Sequence, residues 1–506
     1  ILANGNTTGG TDLLVSTGDD ITFADSSKAI FGAGSDLQIY HDGSHSYIDD
    51  VTGSGAGSLY IKADQFYLNN TNYNYLQTNS SGDILLKYQS ATKLATTATG
   101  VDVTGTVVSD GMSTNTSGTS NFIAGVNAGN SIQSGGNYNV AVGDEAGTAI
   151  TTSDYNTVVG YAAGTAINTG GDNTIVGGLA ADALTTGFNN VAMGRNALST
   201  EDTGRYNVAI GMNTLRDQNA DVDNYNTAVG YAAGGDITTG VRNTLIGGLA
   251  GDALTDGNDN IAIGYQALTA DTQGDNSVAI GNNALFSQNG TNGNVYNVAI
   301  GKNAGFAVTT GIRNIIMGGL AGDALTDADF NIGIGYQSLT ADTKGSKSTA
   351  VGYRTLANQN FSTSTDSHNT AIGNDAGLSV TTGVRNTLIG SRTGDAFTDA
   401  DYNVALGYNA LTSDTLGSTS TAIGYAALET QNFTSATNSL NTAVGYNAGT
   451  AVTTGIQNTL IGALAGDAIT TGEANVAVGY LALSDTTTGG DNTAVGELAL
   501  SNNTTA

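Results

Sequence analysis

The 506-residue chain contains no Pro, no Cys and no Trp, and only 15 basic residues stand against 44 acidic ones. Without Cys there are no disulfides, no thiol catalysis and no Cys-ligated zinc or iron-sulfur site. A formal charge of −29 repels polyanions, which excludes nucleic-acid binding by phosphate neutralisation and disfavours attraction to an anionic membrane. No run approaches ~18 consecutive apolar residues, so no transmembrane helix and no membrane insertion are expected. Ordinary usage would supply about 25 Pro. The chain opens on Ile1 with no basic segment followed by an apolar one, as a secretory leader has, and is expected to be a processed or truncated piece.

What is abundant is glycine: 72 residues, about twice the usual share of ~7%. They are placed in register. Asn-x-x-Val/Ile-Gly recurs from Gly125 to Gly496, giving 22 anchor glycines, most of them 17 residues apart. Every fourth unit is usually longer, which makes a superrepeat of 70 to 72 residues marked by Gly160, Gly230, Gly301, Gly373 and Gly445. The extra residues lie in 217–224, 287–295, 358–367 and 431–440. Insertions at one phase of a repeat are loops on a common face.

Within a unit, Asn207-Val208-Ala209-Ile210-Gly211 alternates as a strand does, with β-branched residues suited to a pleated surface. Asn stands four before the anchor in all units except those of Ser277, Ser348 and Ser420. A second glycine follows ten after it in most 17-residue units, as at Gly170, Gly240 and Gly311. Gly reaches conformations closed to other residues and Asn tolerates left-handed geometry or bonds its own backbone in turns, so both columns are read as corners. Helix is excluded, because each Gly would cost about 1 kcal/mol relative to Ala. Disorder is opposed by the strict register and the 39% hydrophobic content. The fold expected is all-β, a parallel β-solenoid of about 22 rungs over residues 111–506, each with two short strands and two corners. Absence of Pro fits a stack in which nearly every backbone group pairs.

Such a rung, lined by Ala, Val, Thr and Ile, encloses little apolar volume, so a single coil is expected to be marginal. A homotrimer would bury the remaining apolar columns without open edges. Ile175, Leu245, Ile316, Leu388 and Leu460 are large where most rungs carry Ala; they are either a periodic plug in a shared core or a local change in one chain's packing.

Ser277-Val278-Ala279-Ile280-Gly281-Asn282-Asn283-Ala284 and Asn441-Thr442-Ala443-Val444-Gly445-Tyr446-Asn447-Ala448 resemble the head repeat of trimeric autotransporter (YadA-like) adhesins. The resemblance covers residues 121 to the end and implies a trimer of left-handed parallel β-rolls that binds host surfaces. The unit is longer here than in that family, and the inserts are additional.

Residues 1–110 show β alternation without the repeat, at 20–23, 37–40, 59–62, 66–68 and 84–88. The stretch from Gly34 to Ser44, with 93–97 and 100–106, resembles tail fibres of marine bacteriophages, particularly those infecting cyanobacteria. That implies a virion tail protein which continues into fibrous repeats; many such proteins end in a self-cleaving chaperone domain, and none is visible before Ala506.

Candidate chemistry is sparse. The three histidines are His41, His45 and His368. His41 and His45 are candidate metal ligands if their copies converge on a threefold axis; the plainer reading is two exposed turn residues flanking Asp42-Gly43. His368 is the only His in the array, so no Ser-His-acid triad assembles there.

Asp182, Asp252, Asp323, Asp395 and Asp467 recur five after the anchor of each second unit, and Arg242, Arg313 and Arg385 five before it. The preferred reading is a solvated column with Arg bridges; calcium binding and glycoside hydrolysis are the alternatives. Hydrolysis needs two carboxyls about 5–9.5 Å apart, whereas four rungs at ~4.8 Å separate members of this column by roughly 19 Å. No catalytic residue and no cofactor are expected.

Tyr161, Tyr231, Tyr265, Tyr336, Tyr353, Tyr408, Tyr425, Tyr446 and Tyr480 follow anchors and, with the insert loops, are candidate receptor contacts, since aromatic faces serve as platforms. The alternative is packing on the roll. The function expected is a fibrous attachment protein on a virion tail or extracellular surface, with other tail proteins and a host glycan or protein as partners. A bacterial trimeric adhesin is the alternative, and a polysaccharide-degrading tail spike is less favoured.

Overall fold

The structure is a computed structural model that describes residues 15–32, 35, 37–50, 61, 65–69, 74–78, 83–88, 91–97, 100–104, 116–290 and 293–504. The chain divides into two units, Ile1–Gly111 and Met112–Ala506. In the first, Lys28–Phe31, Leu37–His41 and Ser46–Asp50 form an antiparallel sheet. Tyr67–Asn69, Asn74–Thr78, Ile84–Tyr88, Ala91–Thr97 and Gly100–Val103 form a second, paired in chain order. The expected strand at 20–23 is not one: Ile21 and Phe23 are exposed and no ladder is assigned there. Of the alternation at 59–62, only Ile61 is among the described residues.

The second unit is an all-β parallel solenoid of 22 rungs, with no helix among the described residues. Each rung gives one three-residue strand, from Phe122–Ala124 to Thr493–Val495, and successive strands pair in register, as Val208↔Thr227, Ala209↔Ala228 and Ile210↔Val229. The middle residue points inward and is buried in every rung after the first, where Ile123 is partly buried; its two neighbours face out. At ~4.8 Å per rung the ladder is about 100 Å long.

The expected second strand is absent from the ordinary rung. Two-residue strands appear beside three inserts, pairing Gly274–Asp275 with Gly293–Asn294, Gly345–Ser346 with Thr365–Asp366, and Gly417–Ser418 with Thr437–Asn438. Elsewhere the chain turns through left-handed residues, for example Tyr225, Ala232 and Gly234 with φ of 53°, 51° and 58°. Left-handed geometry in a residue with a Cβ costs roughly 1–2 kcal/mol. Here it directs amides alternately to the two adjacent rungs: Ala232 N–H donates to Met212 O of the preceding rung (2.9 Å) and Gly234 N–H to Ala250 O of the next (2.9 Å). The turns are thus hydrogen-bonded between rungs as the strands are, which satisfies the buried backbone.

The asparagine column is an internal ladder, not a set of turn residues. Asn243 is fully buried; its Nδ2 donates to Gly257 O (2.8 Å) and its Oδ1 accepts Asn260 N–H (3.0 Å). The glycine ten after the anchor also differs from expectation. Gly311 has no left-handed φ, and Ala328 and Ala400 occupy the same column in buried positions. That column requires small size, because its carbonyls receive the asparagine amides of neighbouring rungs.

The interior of a single chain is better filled than composition implies. In the first two rungs of a superrepeat the bulk comes from Ile237, Leu245 and Leu254, with Gly234 and Gly251 making room. In the next two it comes from Leu268 and Leu285, with Ala262 and Ala279 opposite. Ile175, Leu245, Ile316, Leu388 and Leu460 are all buried within their own chain, so the periodic large residue is a local exchange of volume between positions. The solenoid does not need a sister chain to supply its core.

Candidate functional site

His41 and His45 flank a hairpin turn organised by Asp42, whose Oδ1 accepts the amides of Ser44 (2.8 Å) and His45 (2.7 Å). His41 Nδ1 accepts the Gly43 amide (3.0 Å) and lies 3.4 Å from Asp25. The His45 and Ser44 amides, with the Tyr47 hydroxyl, hold the Asp42 carboxyl below its ordinary range. The two histidines therefore sit in exposed turn geometry, and no group of three or more potential metal ligands is found among the described residues.

The aspartate column is half-buried and is bridged mainly by threonine; one arginine bridge also forms, Arg392 Nε donating to Asp395 Oδ2 (3.4 Å). Asp252, Asp323 and Asp395 accept hydroxyls from Thr269, Thr340 and Thr412, one rung on. One oxygen each of Asp182 and Asp467 is shielded without a hydrogen-bond partner. Burial raises the carboxyls of Asp182, Asp252, Asp323 and Asp467 above their ordinary value. The three arginines five before the anchor bind elsewhere. Arg242 makes a two-pronged bond to Asp259 (2.7 Å for each prong), Arg385 donates to the Tyr402 hydroxyl (2.7 Å), and Arg313 lies over Phe330.

More deeply buried acids escaped sequence reasoning. Glu201, Asp271, Asp342 and Asp414 are fully buried, seven after the anchor of each third rung in the first four superrepeats. Asp271 Oδ2 accepts Gln288 Nε2 (2.5 Å), and its Oδ1 accepts the amides of Gly274 (2.9 Å) and Gly290 (3.1 Å). Gln288 also donates to Ser277 (2.9 Å) and accepts from Asn297 (2.9 Å), carrying the amide ladder across a rung where Asn is Ser. Gln359 and Gln431 repeat this arrangement at Ser348 and Ser420. The signal was present as the fourfold recurrence of an acid and, one rung later, a Gln. These clusters tie the insert loops to the core: Phe361 and Phe433 are buried beside them.

The nine tyrosines are all exposed, from 44% at Tyr408 to 61% at Tyr161. The column brings some together: Tyr336 stacks on Tyr353 (5.9 Å between centroids), and Tyr425 lies between Tyr408 (5.6 Å) and Tyr446 (5.3 Å). Inside such stacks the ring faces are already occupied; edges and hydroxyls remain. A second column stacks Tyr138 on Tyr155 and Tyr206 on Tyr225.

Beside these columns lies the outer face of the ladder. The outward residue preceding each anchor is apolar in all 22 rungs, mostly Ile or Val, and the other outward strand residue is Thr, Val or Ile in every rung but the first, which has Phe122. None of these 44 positions is charged. Ile246, Ile315, Leu406 and Ile461 are among the exposed members.

Compared with known proteins, the chain matches no family model, no curated protein and no solved structure.

Proposed function

We propose that the chain is a fibrous attachment protein, a phage tail fibre whose solenoid is a shaft that spans and presents binding surface to a host cell-surface receptor, and that it works as a homotrimer on the virion tail. The observation that carries this reading is the uncharged outer face of the ladder, on a chain with a net charge of −29. Taken as about 100 Å long and two residues or ~7 Å wide, it offers on the order of 700 Å² before side-chain relief is counted. Eleven of the 44 outward positions are Thr, so the strip is uncharged with a threonine-rich margin, and its area is close to the ~800 Å² that a stable interface takes from each partner. Self-association through this face leaves the acidic turns, the tyrosine columns and the insert loops outward, where a receptor is met.

Sedimentation equilibrium is expected to give three chain masses for the wild type. Ile246→Lys with Ile263→Lys places desolvated charge in the face and is expected to yield monomer with an unchanged circular dichroism spectrum. A monomeric wild type would refute the assembly, and failure of the labelled chain to adhere to any of a panel of cyanobacterial cells would refute attachment to that host class.

A further inference from the structure

Each insert contains Gln-Asn, and the residue that follows differs from one to the next: Asn219-Ala220, Asn289-Gly290, Asn360-Phe361 and Asn432-Phe433. In the last three the asparagine is clasped alike. Its side-chain oxygen accepts a threonine hydroxyl of the preceding rung, from Thr272 at Asn289 (3.0 Å), Thr343 at Asn360 (2.9 Å) and Thr415 at Asn432 (3.0 Å). The backbone amide of the following residue donates to the buried acid: Gly290 to Asp271 (3.1 Å), Phe361 to Asp342, and Phe433 to Asp414 (3.2 Å).

An asparagine closes to a succinimide when the next amide nitrogen attacks its side-chain carbonyl carbon and ammonia leaves. The two reacting groups are covalent neighbours, so little entropy is lost in bringing them together. What the step needs is removal of the nitrogen's proton and support for the charge that builds on the carbonyl oxygen. At Asn289 both lie within the reach at which general bases and oxyanion donors act. Asp271 Oδ1 faces the Gly290 proton and the Thr272 hydroxyl faces Asn289 Oδ1. Gln288 and the Gly274 amide also donate to Asp271, which holds its oxygens as acceptors. Gly290 has no Cβ to crowd its nitrogen, whereas Phe361 and Phe433 carry bulky, buried side chains. Asn289 is exposed and Gly290 is buried, so ammonia escapes to water while the base stays shielded.

We infer that Asn289-Gly290 is a self-modifying site, at which Asp271 as base and Thr272 as oxyanion donor turn the asparagine into an aspartyl or isoaspartyl residue. The bond from Gly290 N to Asn289 Cγ forms and the bond from Cγ to Nδ2 breaks. Asp271 takes the Gly290 proton, the departing nitrogen takes one from water and leaves as ammonia, and Asp271 returns its proton to solvent. Water then opens the ring at either carbonyl. The product carries a new negative charge and, in the isoaspartyl form, an extra methylene in the backbone, in the second insert alone. The assignment does not depend on the attachment reading.

The test is peptide mapping by mass spectrometry of the full chain, incubated at neutral pH both folded and in concentrated guanidinium chloride. Conversion at Asn289 is scored separately from that at the insert's second Asn-Gly, Asn292-Gly293. Asn289 is expected to convert about tenfold faster or more in the folded chain than in the denatured one, while Asn360 and Asn432 stay amides. Asp271→Asn is expected to slow conversion about a hundredfold, and Thr272→Val about tenfold. Asp342→Asn, the matched change one superrepeat on, should leave Asn289 converting as in wild type. Slower conversion in the folded chain than in the denatured one means that the fold protects Asn289 and overturns the proposal. Unchanged or faster conversion in Asp271→Asn overturns it too, and if that variant does not fold, unchanged conversion in Thr272→Val does so in its place.

Discussion

Gly230 and Gly311 each stack on a carbonyl of the next rung, but only Gly230 is also held in a conformation that excludes a side chain. Gly230 has φ of 138°, and a Cβ there would lie 2.5 Å from Gly247 O. Backbone strain of this kind costs roughly 1–3 kcal/mol, and the clash adds to it, so Gly230→Ala is expected to lose on the order of 4 kcal/mol. A Cβ on Gly311 meets Ala328 O at 2.3 Å without the left-handed constraint, and Ala already occupies two positions of its column. Gly311→Ala should therefore cost clearly less. Hydrogen exchange at the substituted rung and its neighbours is the fitting measurement, because repeat arrays open locally. The opposite ranking of the two variants would contradict this account. Asn314→Ala removes the donor to Ala328 O and the acceptor of Asn331 N–H, both buried. At about 1–3 kcal/mol for each orphaned group, protection should fall in the Asn314 rung and the next, and little beyond.

At the scale of the rung, volume is exchanged between neighbouring positions. Leu245→Ala should cost about 2–5 kcal/mol, as buried Leu truncations do. A Cβ on Gly234 would sit 2.7 Å from Leu245 Cδ1, 2.9 Å from Ile237 Cδ1 and 3.0 Å from Leu215 Cδ2, so Gly234→Ala is refused while Leu245 is present and partly relieved once it is gone. The double variant is expected to be less destabilised than the sum of the single ones by about 1 kcal/mol; strict additivity would dismiss the exchange. How far the fold could be read in advance follows from the same rungs. The strand, the 17-residue period and the phase of the inserts were legible because alternation and glycine spacing report backbone geometry directly. The left-handed turns were not, because Leu249, Arg242 and Tyr225 have no intrinsic preference for that conformation and adopt it only when stacked. The buried Asp271 and Gln288 were passed over for Asp252, since an acid in a polar repeat reads as solvated until the Ser at 277 is seen to need a replacement amide.

For the whole molecule, charge and burial act in the same direction. The chain carries a net charge of −29, with an isoelectric point near 4.1, so self-repulsion weakens as pH falls toward that value. Burial also raises the carboxyls of Asp271, Asp342 and Asp414 above the ordinary 3.8, as it does those of four members of the half-buried column. Between the unfolded value and the raised folded one, the folded state holds more protons than the unfolded state, so stability falls as pH rises through that window and recovers as pH falls. This is the reverse of ordinary acid denaturation, in which paired carboxylates with lowered values lose their contribution on protonation. The melting temperature is therefore expected to rise as pH is lowered from 7.5 toward 4.5 in dilute solution at constant ionic strength. Replacing Asp271, Asp342 and Asp414 together by Asn removes three of the protons taken up and should flatten the dependence. The slope is the quantity to compare, since Asn also sets an amide against the Gln288, Gln359 and Gln431 donors and lowers stability at every pH. A melting temperature that drops on acidification, or a slope unchanged in the triple variant, would show that these carboxyls enter the folded state charged and stabilised by the four hydrogen-bond donors around each.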